Sequence, residues 1–113
     1  MERNIMVTAD QIQQGLPLAQ AAGRDMYAKI GERDACGFGW VEVYVDRTNS
    51  KQAKELLKAG FRKDYKPKCL SMWDPAGIPT QSISVKEAGA EAYAMYLRAI
   101  GLNAYAGSRL DWP

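Results

Sequence analysis

The nonapeptide Phe38-Gly39-Trp40-Val41-Glu42-Val43-Tyr44-Val45-Asp46 constrains the fold more than any other stretch of the chain. Its valines fall at every second position, and aromatic or acidic residues fill most of the positions between them. Successive side chains of a strand point to opposite faces. Val41, Val43 and Val45 therefore line a face that belongs in a core, and Phe38, Trp40, Glu42, Tyr44 and Asp46 line the other. A strand with this pattern needs a sheet around it, which excludes an all-helical fold.

Helical signals flank this strand. Ile5-Met6-Val7 reads as a short strand, after which Thr8 and Gln11 have the spacing of a capping box and open a helix. Gly15-Leu16-Pro17 interrupts it, and Pro17 suits the first position of a second helix. Leu18, Ala22, Met26 and Ile30 give that helix one apolar face, and Gly31 stops it. Downstream of the strand, residues 46–49 are turn chemistry. Ser50 caps a helix over residues 51–59, with Ala53, Leu56 and Leu57 inward, and Gly60 ends it. Residues 61–63 and 68–73 read as a hairpin around Asp64 and Pro67, and residues 74–79 as a loop. Ser84 and Glu87 form a second capping box. They open a helix to Ile100 that buries Val85, Ala88, Gly89, Ala92, Tyr93 and Tyr96. Gly101 ends it, and residues 102–108 make the last strand.

Residues 38–108 thus run β-α-β-β-α-β, the order of the ferredoxin-like split βαβ pattern with its helices on one sheet face. The expected fold is α+β: a ferredoxin-like sheet preceded by an N-terminal helical extension over residues 1–35. At 113 residues one domain is expected. The two N-terminal helices have two destinations. They cover the second sheet face, packing over Phe38, Trp40 and Tyr44, or they serve a partner chain.

Composition narrows the chemistry. The chain has no histidine, which removes the commonest general base and the commonest metal ligand. Cys36 and Cys69 fit no zinc pattern. Two reduced thiols in a cytoplasmic protein is the first reading, and a disulfide in a secreted protein the alternative. The N-terminus is too short and too charged for a signal peptide, and no apolar run is long enough to span a membrane. There is no P-loop and no nucleophile elbow. The expectation is a binding protein with no catalytic residue, no cofactor, no metal and no membrane partner. A net charge of +2 neither demands a polyanionic ligand nor excludes one.

Three segments are candidates for binding. The octet Cys36-Gly37-Phe38-Gly39-Trp40-Val41-Glu42-Val43 resembles the signature of the RNA-recognition motif at Gly37, Phe38, Gly39 and Val41, with Trp40 standing in for a phenylalanine. It departs from that signature at Cys36 and Val43. Phe38 and Trp40 share one strand face, where bases could stack. The tail carries Tyr105, Arg109 and Asp111, and an arginine fork there suits a phosphate or carboxylate; the plainer reading is an ion pair of Arg109 with Asp111 or Glu42. Arg62, Lys63, Lys66 and Lys68 form a cationic cluster with Trp73 nearby. It steers an anionic partner or simply keeps a hairpin edge solvated.

Taken together, Cys36-Gly37-Phe38-Gly39-Trp40-Val41, Gln81-Ser82, Lys86-Glu87-Ala88, Ala92-Tyr93 and the spaced Tyr105, Ser108, Arg109 and Asp111 are similar to a group of small proteins of bacteriophages and related mobile elements. The resemblance covers about residues 36–111. It implies an accessory protein that acts in the host cytoplasm by binding host defence machinery, such as a CRISPR effector, or by sequestering a small anionic ligand. Phe38, Trp40, Tyr44, Trp73, Tyr105, Arg109 and Asp111 are the expected contact residues. A nucleotide or single-stranded nucleic acid on the same sheet face is the alternative. A homodimer is the default oligomer.

Overall fold

The computed structural model describes residues 6–31 and 33–111. Four helices, α1 (Ala9–Gln13), α2 (Leu16–Ile30), α3 (Lys51–Lys58) and α4 (Ile83–Ala99), combine with four strands, β1 (Gly37–Tyr44), β2 (Arg62–Lys63), β3 (Cys69–Trp73) and β4 (Asn103–Leu110). The protein is a mixed α+β fold with a four-stranded sheet in the order β2-β3-β1-β4, all neighbours antiparallel. β1 is central. It pairs with β4 along its whole length, from Gly37 opposite Leu110 to Tyr44 opposite Asn103, and with β3 from Trp40 opposite Trp73 to Tyr44 opposite Cys69.

The valine face of the sheet is the core, as its alternation requires. Val41, Val43, Leu70 and Ala104 are fully buried there, beneath Leu56 of α3 and Tyr93 and Leu97 of α4. Each of the valine and leucine side chains contributes about 1.5–3 kcal/mol on leaving water. Val45 lies beyond the strand and is only half-buried. Leu57, expected inward, is 38% exposed, because a short helix of this pitch aims only Ala53 and Leu56 at the sheet.

α4 lies almost on the backbone of β1, and two glycines permit it. A Cβ at Gly39 would stand 2.8 Å from the backbone carbonyl of Lys86, and one at Gly37 would stand 2.6 Å from the Ile83 side chain and 2.7 Å from the Arg109 carbonyl. The helix starts two residues earlier than the Ser84–Glu87 box implies. Ser82 is the N-cap, and its hydroxyl accepts from the Val85 N–H at 3.2 Å. Asp34 decides this. Its carboxylate accepts from the Ser82 hydroxyl at 2.6 Å and from the Ser84 N–H at 2.8 Å, which commits Ser84 to the first turn. Glu87 turns away to accept from the Ser108 hydroxyl.

The Ser82 hydroxyl and the Ser84 N–H hold the Asp34 carboxyl down at about 2, below its usual 3.8. A carboxyl depressed in the folded state adds stability above its unfolded pKa, and that stability is lost as pH falls through the folded value. Acid unfolding followed by circular dichroism is therefore expected to show a stability loss between about pH 4 and pH 2 that shrinks in Asp34→Asn. An unchanged acid limb in the variant would refute this role.

The N-terminal helices stay on the helical side of the molecule. α2 packs on α4 and α1 on α3. Small residues bring α2 and α4 together: Cβ atoms at Gly23 and Gly89 would both crowd the methyl of Ala76. The contact stripe of α2 runs through the buried Ala19 and Gly23 rather than Leu18, which is 51% exposed. The Thr8–Gln11 capping box forms as expected. Two tyrosines of α4 then hold α1 by its last carbonyls: Tyr93 donates to Ile12 at 2.9 Å and Tyr96 to Gln11 at 2.6 Å. Met6 and Val7 are not a strand; the Gln52 side chain bonds both backbone groups of Val7 instead. Ile5 lies outside the described residues.

Candidate functional site: the uncovered sheet face

Since all four helices gather on the valine face, no described helix covers the other, and only the turn that carries Asp64 and Lys66 reaches over its Glu42 and Ser71. The expectation that Phe38, Trp40 and Tyr44 pack under the N-terminal helices is overturned. Those helices pack instead on α4 and α3: Gly89 of α4 lets α2 approach closely, Tyr93 and Tyr96 of α4 hold α1, and α1 also rests on α3. β1 presents Phe38, Trp40, Glu42 and Tyr44 to this open face. Its register sets Ser71 and Trp73 of β3 on one side and Tyr105, Gly107 and Arg109 of β4 on the other.

The aromatic residues form two groups. Trp40 and Trp73, directly opposite in the ladder, stack with ring centroids 4.7 Å apart, and Phe38 meets the Trp73 ring edge-on at 5.8 Å. Tyr44 and Tyr105 meet edge-on at 6.2 Å. Trp73 and Tyr105 are each 50% exposed, while Phe38, Trp40 and Tyr44 are half-buried beneath them. Gly107 makes room for this arrangement, since a Cβ there would strike the Trp40 indole at 2.6 Å.

Glu42 sits between the two groups and is 9% exposed. Its carboxylate accepts from the Trp40 indole N–H at 2.8 Å, the Tyr44 hydroxyl at 2.9 Å and the Lys66 ammonium at 2.8 Å. Burial pushes this carboxyl up, but the bonds from Lys66, Trp40 and Tyr44 outweigh it and hold the group ionised below its usual value. Their own bonds to Glu42 drive the Tyr44 hydroxyl up to about 12 and raise the Lys66 ammonium. The network is a fixed, neutralised centre: Glu42 orients two of the five rings, and Lys66 balances its charge.

The expected ion pairs of Arg109 do not form. Its guanidinium lies over the Phe38 ring, 5.2 Å from the centroid, and the Lys86 ammonium approaches the same ring at 5.6 Å. Asp111 extends the β4 ladder by donating its N–H to Cys36 at the end of the sheet. The face thus unites Phe38, Trp40, Tyr44, Trp73, Tyr105 and Arg109, with Asp111 one step beyond Arg109 on the same side of the β4 ladder. Sequence reasoning missed Lys66 as the partner of Glu42 and Lys86 as a rim cation. Lys66 was visible only as one of four cations, and its target lies 24 residues away.

Other chemistry is sparse. Among the described residues no three histidines, cysteines or acids gather as a metal site requires. Both cysteines are free; Cys36 is exposed and Cys69 buried, its thiol pushed up by burial. An open hollow of about 810 Å³ lies at the end of the sheet, lined in part by Tyr44, Asp46, Ser50 and Asn103. No described helix is long and apolar enough to cross a membrane. Comparison of the chain with protein-family models, curated proteins and solved structures returns no match.

Proposed function

We propose that this chain is a non-enzymatic binding protein that seats a protein partner on its uncovered sheet face. One observation carries the reading. Five aromatic rings and an arginine stand together on a sheet face that no described helix covers. Tryptophan, tyrosine and arginine are the side chains that dominate protein–protein hot spots, and rings already locked by neighbours lose little entropy on binding. The rings are committed to one another, and Arg109 and Lys86 both lie over the single ring of Phe38. That favours one fixed aromatic surface, two ring groups joined through Glu42, over separate platforms for bases. The anionic Glu42 at its centre, balanced by Lys66, also suits a protein surface better than a polyanion. In this reading the partner is a host protein, the protein comes from a phage or mobile element, and its work is done in the host cytoplasm. The order β1-α3-β2-β3-α4-β4, with β3 between β1 and β2, supports a ferredoxin-like frame for the site.

A nucleotide or single-stranded nucleic acid is the second reading. It is favoured by the half-exposed Phe38 and Trp40 beside two cations, the arrangement that stacks bases on an open sheet. The test immobilises wild type and Trp73→Ala/Tyr105→Ala in extract of a producing cell, and titrates both with a fluorescent oligothymidylate. A discrete protein retained by wild type and lost in the variant, with no oligonucleotide binding, is expected. Micromolar oligonucleotide binding that weakens with salt and vanishes in the variant would replace this reading with the second.

A further inference from the structure

Peptide groups along β4 alternate between its two sides, and the hydrogen bonds at its ends fix the phase. The Asp111 N–H donates to the Cys36 carbonyl at 3.0 Å, so odd-numbered residues of β4 turn toward β1. The far side of β1 agrees. Asp74 N–H donates to Gly39, and Val45 N–H donates to Lys68, so odd-numbered residues of β1 serve β3 and even-numbered ones serve β4. The even-numbered Ala104, Ala106, Ser108 and Leu110 therefore turn their N–H and C=O groups outward. The Ala104 carbonyl is met by Arg98 at 2.9 Å, and no other described residue hydrogen-bonds to this edge.

The two edges of the sheet differ. β2 is two residues long, both cationic, the blunt form that discourages pairing. β4 is eight residues long, in unbroken register with β1, and contains no proline and no lysine. It is also self-complementary. With a two-fold axis at Gly107, an antiparallel copy brings Ala106 opposite Ser108 of the second copy, both with outward peptide groups that can exchange hydrogen bonds. The same register places Tyr105 opposite Arg109 of the second copy, both on the open face, and Asn103 opposite Asp111. Tyr105 is half exposed and Arg109 exposed, so a cross-strand cation–π pair between them displaces no core contact.

We infer that a second copy of this chain pairs on the β4 edge in this register, forming an eight-stranded sheet. The two aromatic faces then lie on the same side and run together. Each copy completes the other's patch by setting its Arg109 against the facing Tyr105, and the partner-binding surface is two-fold.

Sedimentation velocity across a hundredfold range of concentration tests the proposal. Wild type is expected to sediment as a dimer that dissociates on dilution; a monomer throughout overturns it. Ala106→Pro removes an outward N–H without touching the ladder to β1, so it should stay folded and shift the dissociation constant at least tenfold. A folded variant that dimerises as wild type overturns the edge assignment. Tyr105→Cys/Arg109→Cys in a Cys36→Ser background reads the register without relying on the proline variant. A covalent dimer should form on mild oxidation, and neither single cysteine variant should give it in comparable yield. No cross-link in a folded double variant overturns the register.

Discussion

Gly39→Val is expected to destabilise the protein by about 3 kcal/mol or more, lowering Tm by on the order of 10 °C. The new side chain would meet the backbone of Lys86, which belongs to the first turns of α4 and has no flexible end to move aside. Relief requires α4 to lift off β1, and Val41, Val43, Tyr93 and Leu97 are buried between or beside them. A variant that melts within about 2 °C of wild type by differential scanning calorimetry would show that α4 does not need this close approach. The result also bears on the octet at residues 36–43. Gly37 and Gly39 match the RNA-recognition signature, yet both have a sufficient reason in helix docking on the core face. Two of the four matching positions therefore carry no information about the ligand.

How much of this was legible depended on whether the deciding contact was local. The strand begun at Phe38, which ends at Tyr44 rather than Asp46, declared both its faces, because its period of two puts valine on one side and rings on the other. The Thr8 and Ser50 caps, the Gly31 and Gly101 stops and the hairpin were readable from turn and cap chemistry. Ser84 misled because its capping box is a local pattern, whereas the start of α4 is set by Asp34, 48 residues from Ser82 and 50 from Ser84. Leu18 misled for a related reason. A four-residue spacing fits several neighbouring faces of a helix, and the small residues Ala19 and Gly23 mark the side that approaches α4 closely. The site was legible as a residue list, not as a geometry. Phe38, Trp40 and Tyr44 share a strand, but the stack of Trp40 on Trp73 and the reach of Lys66 to Glu42 follow from the register of β3. Arg109 drew attention as a charge seeking an acid, and it found an aromatic face instead.

Trp73→Ala should separate binding from folding more sharply than any other change on the face. The indole is half exposed and stacks on Trp40 while receiving the edge of Phe38. Losing those ring contacts costs about 0.5–1.5 kcal/mol of stability, since no buried polar group loses a partner. At an interface the same indole is the most prominent ring of the patch, and truncating an aromatic hot spot costs about 2–4 kcal/mol of binding. Affinity for the captured partner is therefore expected to fall by roughly 30- to 1000-fold, measured by calorimetry or surface resonance, with Tm lowered by only a few degrees. Lys66→Met provides the contrast. It removes the ammonium from Glu42 but leaves the Trp40 and Tyr44 bonds, so the rings stay in place while the centre of the face becomes anionic. A partner that presents apolar surface to the rings should lose affinity in Trp73→Ala far more than in Lys66→Met. If Lys66→Met proves the more damaging of the two, charge rather than ring area drives recognition, and the nucleic-acid reading takes precedence.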